Sequence, residues 1–414
     1  MNFILYSLNY SPELTGIGKY NGELVNMLGH HGIDTVVITA PPYYPQWSIA
    51  EGYSNKWSVE NNINVITYRC PLYVPHKLST FKRILHLASF SVTSAWRLIT
   101  LYKTRPDVVF LVQPTLFCAP ATLLYCKFTG AKSVMHIQDY EVDAMFGLGL
   151  GSEGFLKIFA RKCEFFLMKR FDVISTISYS MMKNAKEKGI DEDKILFFPN
   201  WSDTAFVTPD VNGDKIKEEL GLSGYEKIVL YSGNIGQKQG LEVVVEAAAS
   251  FINNPSVHFL IIGSGSYRSE LEKLANQQQL TNITFLDLQP WERVPEILAM
   301  ADVHLVVQKK GAADAVLPSK LTNILSAGGH ALVTAEENTE LGLLANKHPG
   351  IFTLVEPENS SAFTQSLECM LNSSLRGTNQ VARDYALNNL AKDEVINRFI
   401  KDLHDICAVE AKQD

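Results

Sequence analysis

Four short segments of this 414-residue chain combine residue types that suit an anion. They are Thr15-Gly16-Ile17-Gly18-Lys19-Tyr20, Tyr231-Ser232-Gly233-Asn234-Ile235-Gly236-Gln237-Lys238-Gln239-Gly240, Gly263-Ser264-Gly265 and Leu317-Pro318-Ser319-Lys320. Glycine lets a backbone come close to a ligand, and the first turn of a helix attracts negative charge through its unpaired N–H groups and aligned dipoles. A lysine at that positive end gains nothing locally, so Lys320 makes sense with an anion between it and the helix; an exposed first-turn lysine is the plain alternative. Pro318 pre-sets the backbone there and Ser319 can cap the helix. Each turn alone is structural as often as it binds phosphate, and residue 21, an Asn, excludes the dinucleotide pattern G-x-G-x-x-G from the first.

Carboxylates and imidazoles offer less. Asp191-Glu192-Asp193 has the spacing of a metal-binding string, but it precedes Lys194 in a polar turn and reads as that turn. No metal and no cofactor is expected. His136 shares a strand face with Gln138 and reads as a buried strand residue, with catalysis as the alternative. Gln138 and Asp139 can hold ligand hydroxyl groups.

The elements that must position these residues follow from hydrophobic patterning. Val/Ile-rich runs at 3–8, 35–39, 108–112, 133–137 and 173–177 alternate with helical stretches such as 19–30, which predicts a parallel sheet covered by helices on both faces. After a run at 195–198, the turn Pro199-Asn200-Trp201 and the polar stretch 202–214 read as a connection. The pattern then restarts, with strands at 228–232, 258–262, 283–286 and 303–307 and helices at 241–251, 267–277, 292–300 and 319–327. Three of the four phosphate-compatible turns then lie at the carboxyl ends of strands in the second half, facing the cleft expected between two doubly wound α/β halves. The domains expected are 1–205, 206–390 and a C-terminal segment 391–414. In that segment Val395, Phe399, Leu403 and Ile406 line one side of a helix able to pack back on the first domain.

Hydrophobic residues make up 46% of the chain and charged ones 20%, the balance of a globular protein. The net charge of −7 is uneven: residues 1–205 hold 20 Lys and Arg against 17 Asp and Glu, and the remainder 17 against 27. With an acidic second half and no interleaved aromatic-basic motif, nucleic acid is not an expected partner. Residues 61–106 contain no acid but carry Arg69, Lys77, Lys82, Arg83, Arg97, Lys103 and Arg105. That block is either a solvated face with acids nearby in space or a surface for an anionic partner. Segments 77–103 and 155–171 mix such cations with aromatic and aliphatic residues, as helices that lie on anionic bilayers do; ordinary helices packed on the sheet are the alternative. Six cysteines without metal or redox spacing, a first segment that reads as a strand and no membrane-spanning run predict a cytoplasmic protein, peripheral on the membrane.

The order T-G-I-G-K-Y, H-I-Q-D-Y-E, S-G-N-I-G-x-x-x-G and L-P-S-K-L-T-N-I-L-S-A-G-G resembles the retaining glycosyltransferases of family 4, whose fold is GT-B. It is similar above all to bacterial exopolysaccharide enzymes of the colanic acid type, through V-D-A-M-F-G-L-G at 142–149 and P-S-K-L-T-N-I-L. The resemblance implies two Rossmann-like domains, a nucleotide-sugar donor held mainly by the second and an acceptor by the first. It also implies metal-independent transfer with retention, from a GDP- or UDP-sugar such as GDP-fucose to a lipid-linked saccharide. Gly16 and Gly18 would line the donor diphosphate and acceptor, Gly233 and Asn234 the phosphates, Gly265 the nucleoside, and Leu288 the base region, where Trp291 can stack on the base or act as a core aromatic. Lys320, beside Ser319 and helped by Lys238, would neutralise the departing diphosphate.

Three departures stand out. Asn234 and Gln239 replace an Arg and a Lys common in the family, Ala315 and Asn323 replace a pair of Glu, and Gln138 replaces a His. These keep two other readings open: an epimerase or phosphorylase on the same fold, and a membrane-docked assembly protein that has lost catalysis.

Overall fold

The computed structural model describes residues 1–13, 16–44, 46–75, 79–140, 155–311, 317–373 and 377–408. Thr15, Lys77, Ala315 and the 142–149 motif lie outside them. The chain divides into two compact units: Ser178–Ser180 and Pro199–Val395 form the second, and the rest forms the first.

In the first unit, β1 (Asn2–Tyr6), β2 (Asp34–Thr39), β3 (Ser58–Asn62), β4 (Val65–Arg69), β5 (Val108–Val112), β6 (Lys132–Ile137), β7 (Val173–Thr176) and β8 (Ile195–Phe197) make one sheet in the order β3-β4-β2-β1-β5-β6-β7-β8. Between them run α1 (Gly16–His30), α2 (Thr80–Thr100), α3 (Ala119–Thr129), α4 (Phe155–Met168) and α5 (Tyr179–Glu187), which belongs to this unit from Met181 onward. The five residues of β5, Val-Val-Phe-Leu-Val, are all buried, because a parallel strand covered on both faces has no polar side.

The sequence reading places no strand at 58–69, where the structure has the antiparallel pair β3–β4. Ser58-Val59-Glu60-Asn61-Asn62 is a polar edge strand without an apolar run, and Asn64 turns the chain at φ 60°. Arg69 ends this hairpin buried, its guanidinium on the Glu60 carboxylate and donating to the carbonyl oxygens of Ala40 (3.1 Å) and Ser11 (2.9 Å). Arg97 of α2 lies over the rings of Tyr68 and Trp57, at 4.6 and 5.4 Å. Two of the seven cations in the acid-free block are therefore engaged within the fold and face no outside anion.

The second unit has an all-parallel sheet in the order β11-β10-β9-β12-β13-β14. Its strands are β9 (Lys227–Ser232), β10 (Val257–Ile262), β11 (Ile283–Leu286), β12 (Val303–Val306), β13 (Ala331–Thr334) and β14 (Thr353–Val355). Its helices are α6 (Asp214–Glu219), α7 (Glu242–Ser250), α8 (Arg268–Gln277), α9 (Val294–Ala299), α10 (Ser319–Ser326), α11 (Glu340–Lys347), α12 (Ser360–Asn372) and α13 (Gln380–Asn389). The two-residue period of a strand divides β9 between two cores: Ile228 and Leu230 join Leu321 and Leu325 on one face, and Val229 and Tyr231 join Val244 and Phe363 on the other. Both faces being apolar, the strand reads as a continuous hydrophobic run. The last helix, α14 (Lys392–Ala408), starts in the second unit and belongs to the first from Ile396 onward. There Phe399 stacks on Phe198 at 4.0 Å and meets Phe110 edge-on at 5.2 Å.

Candidate active site

In the second unit the turns after β9 and β10 interlock through their backbones. Gly233 N–H donates to Ile262 O (2.9 Å), Ile235 N–H to Ser264 O (2.9 Å) and Tyr267 N–H to Ile235 O (3.1 Å). A Cβ at Gly263 would sit 1.9 Å from Gly233 O, and one at Gly265 would sit 2.2 Å from Ile235 O. Glycine is required at both positions because the neighbouring loop's main chain fills the space a side chain would take. Gly265 is thus packed against Ile235, and Gly233 uses its own N–H on β10. Gln239, at the position of a family lysine, accepts from Gly236 N–H through Oε1 (3.0 Å) and closes the turn.

Lys320 stands in the first turn of α10. Pro318 takes the capping position and Ser319 is the first helical residue, so the expected serine cap is not formed. The lysine reaches back over the carboxyl end of β9. Its Nζ donates to Tyr231 Oη (2.8 Å) and lies 4.1 Å from the centre of that ring. A Cβ at residue 233 would come within 3.1 Å of Lys320 Cε and Nζ, so glycine there makes room for the lysine. Tyr231 Oη donates in turn to Asn234 O (2.6 Å), and burial keeps the phenol protonated by raising its pKa. Ser232, Gly233, Ser319, Lys320, Asn323 and His304 line a cavity of about 180 Å³. With about 30 Å³ per water in the liquid, that space holds several waters or a phosphate-bearing group.

The other expected donor residues do not line this cavity. Asn234 and Lys238 are exposed, and Lys238 O accepts from Lys309 N–H (2.9 Å). Lys309, which the sequence reading passed over, pairs with Glu242 at 3.0 Å. Leu288 is 59% exposed beyond β11, and Trp291 stacks on Phe206 at 5.6 Å. A larger cavity of about 680 Å³, lined by Asp214, Lys217, Asp302 and His330 among others, opens at the amino-terminal edge of the sheet and meets only the Ala327-Gly328-Gly329 end of one motif. We assign the chemistry to the smaller cavity, because open parallel sheets bind ligands beyond their carboxyl ends.

In the first unit, Gly16 is exposed at the start of α1. Gly18 is buried, and its missing Cβ is where Glu13 sits: Cβ and Oε2 of Glu13 would lie 2.6 Å away. Glu13 is 6% exposed; it accepts from Tyr43 N–H (3.1 Å), Tyr44 N–H (3.0 Å) and Asn9 Nδ2 (2.9 Å). Burial raises the pKa of this carboxyl group. Gly18 therefore seats an internal carboxylate, a role no spacing rule announces. His136 is buried, stacks on Phe110 at 5.1 Å and has its pKa pushed down to about 3, so it stays neutral. Gln138 Nε2 donates to His136 Nε2 (2.9 Å), which leaves the His136 proton on Nδ1 for Ser175 Oγ (3.0 Å). His136 thus orients the half-buried Gln138 at the end of β6, beside exposed Asp139. Glu192, in the acidic string, pairs with Lys186.

Residues 15–201 match the family described as "Glycosyl transferase 4-like domain", and residues 212–388 match "Glycosyl transferases group 1". The chain is 49% identical over 409 residues to WcaI of Escherichia coli K12, named as a colanic acid biosynthesis glycosyl transferase; the match covers 97% of this chain and 100% of that one. This chain belongs to the family 4 glycosyltransferases. Among solved structures, the glycosyltransferase is similar to sucrose-phosphate synthase from Thermosynechococcus elongatus (TM-score 0.72, 15% identity, 98% and 99% of the two chains covered). It is also similar to Anabaena Alr3699/HepE in complex with UDP (TM-score 0.68, 12% identity, 98% and 100% covered). At such identities the likeness establishes the fold, which is GT-B with two Rossmann-like α/β domains.

Tyr231→Phe tests the contact between the lysine and the glycosyltransferase's buried phenol. The variant keeps the ring under the ammonium and removes the hydroxyl. A hydrogen bond to a charged group is worth about 1.5–3 kcal/mol, so kcat/KM should fall roughly tenfold or more, chiefly through kcat, as Lys320 loses its fixed position. Unchanged donor KM and kcat would show that the hydroxyl plays no part in placing the lysine.

Proposed function

We propose that this glycosyltransferase moves a sugar from a GDP- or UDP-sugar, GDP-fucose being one candidate, onto a lipid-linked saccharide during assembly of a colanic acid-like exopolysaccharide. Transfer proceeds with retention at the anomeric carbon and without a metal ion. The enzyme works at the cytoplasmic face of the membrane, docked through 77–103 and 155–171. The observation that carries this reading is the Lys320 ammonium held over Tyr231 at the mouth of α10, beside a cavity at the carboxyl end of β9. The name of the relative that is 49% identical supports the pathway, and the UDP complex of the Anabaena neighbour supports a nucleotide donor.

The chemistry follows from charge. As the bond between anomeric carbon and phosphate oxygen breaks, the sugar becomes oxocarbenium-like and its electron pair leaves with the nucleoside diphosphate. A fixed cation aimed at that oxygen stabilises the transition state more than the ground state. Asn323, one turn after Lys320 on the same face, offers a ribose or sugar hydroxyl a neutral partner. On the acceptor side, Gln138 with its amide fixed by His136, and Asp139 beside it, serve hydroxyl groups.

Thermal melting against GDP, UDP, ADP and their sugar conjugates tests the reading. A nucleotide at about a hundred times its dissociation constant adds about 2.7 kcal/mol, which raises the melting temperature by several degrees. We expect one base to give that shift, and EDTA to leave it unchanged. No shift with any nucleotide at millimolar concentration would favour an assembly protein without catalysis, and a shift abolished by EDTA would refute the metal-free mechanism.

A further inference from the structure

Helix α2 is amphipathic in an unusual sense: both of its long faces are apolar. One face buries Leu87, Phe90 and Leu98 in the first unit, where Ser94 Oγ meets Tyr6 Oη at 2.6 Å. The opposite face exposes Phe81 (74%), Leu85 (43%), Val92 (73%), Trp96 (64%) and Ile99 (57%). At 3.6 residues per turn these five fall within an arc of about 60°. Neighbouring α3 and the turn before it expose Phe117, Leu124 and Phe128, and Ser91 Oγ donates to Phe117 O (2.7 Å), tying the two helices together. Single exposed apolar residues are ordinary; eight large ones on two adjacent helices mark a contact surface.

The charge around this surface names its partner. Between residues 61 and 138 the sequence has one acid, Asp107, which accepts from Asn2 N–H (2.7 Å). With Arg69 and Arg97 turned inward, the cations near the apolar stripes include Lys82, Lys103, Arg105 and Lys127. We infer that the joined outer faces of α2 and α3 insert into an anionic lipid bilayer, with Phe81, Val92, Trp96 and Phe128 among the acyl chains and these cations at the headgroups. The inference deepens the peripheral-membrane part of the proposed function and rests on it. It also shifts the weight from charge to apolar insertion and brings in α3, which the basic segments do not include. Apolar burial survives screening, whereas attraction between surface charges does not.

The test uses the full chain and sedimentation with phosphatidylcholine vesicles holding about a quarter phosphatidylglycerol. Wild-type protein should bind, and should lose less than about tenfold in partitioning at about 1 M NaCl, where the screening length is about 3 Å. The quadruple variant Phe81→Ser, Val92→Ser, Trp96→Ser, Phe128→Ser should lose at least about tenfold at either salt. Its melting curve and its nucleotide-induced shift should match the wild type, which separates failure of this surface from failure of the donor site. Wild-type binding abolished by salt, equal binding by the variant, no vesicle binding at all, or a wild-type dimer that the variant dissolves would each overturn the inference.

Discussion

Lys320→Ala should lower kcat by about 10²–10³-fold, the equivalent of about 3–4 kcal/mol for one preorganised group facing developing charge. The reason for so large a loss lies in what surrounds it. Asn234 and Gln239 stand where the family commonly has an arginine and a lysine, and Gln239 is spent closing its own turn on Gly236 N–H. Lys309 is paired with Glu242, and Lys238 is exposed and does not line the cavity. The charge that leaves with the diphosphate therefore falls chiefly to Lys320. The loss should appear in kcat more than in KM, because the interaction strengthens as the bond breaks. Alanine suits a first helical turn, so the melting temperature should stay near the wild-type value. Initial rates of nucleotide release at saturating donor decide the matter. A variant within threefold of wild type would remove Lys320 from the reaction.

Gly265→Ala should abolish the nucleotide-induced rise in melting temperature and lower stability by about 1–3 kcal/mol, the usual cost of forcing a methyl group into filled space. The new Cβ would lie 2.2 Å from Ile235 O and 2.5 Å from its carbonyl carbon, backbone atoms that cannot rotate away. The β10 turn must then move off the β9 turn, breaking Ile235 N–H to Ser264 O and Tyr267 N–H to Ile235 O. Those bonds shape the loop that carries Gly233 and Asn234 beside Lys320. Gly224→Ala is the matched control: nothing lies within 4 Å of its Cβ, so stability and nucleotide response should stay unchanged or improve slightly. Melting curves of both variants with and without nucleoside diphosphate make the comparison, and a Gly265→Ala protein that still responds fully to nucleotide would separate this loop from donor binding.

Much of the second unit was legible because its strands are buried on both faces. Runs such as Ile228-Val229-Leu230-Tyr231 and Phe259-Leu260-Ile261-Ile262 announce themselves, and the predicted strand at 283–286 coincides with β11. The polar edge pair β3–β4 carried no such signal, nor did 330–390, where β13 and β14 are only four and three residues long. Short strands held by their neighbours owe their existence to pairing, which local pattern does not record.

The sequence by itself settled the residue types and their order: glycine turns after strands, a lysine opening a late helix, and the alternation that makes two parallel sheets. Those follow from local rules of steric freedom, helix dipoles and two- or three-to-four-residue periodicity. What each residue faces was decided only by the tertiary structure. Tyr231 lies 89 positions from the lysine it holds, Glu13 fills the space Gly18 leaves, and Arg97 turns from a presumed anion toward Tyr68 and Trp57. Such partners are brought together by the packing of whole elements, and the distance along the chain between them places the information beyond any window of sequence.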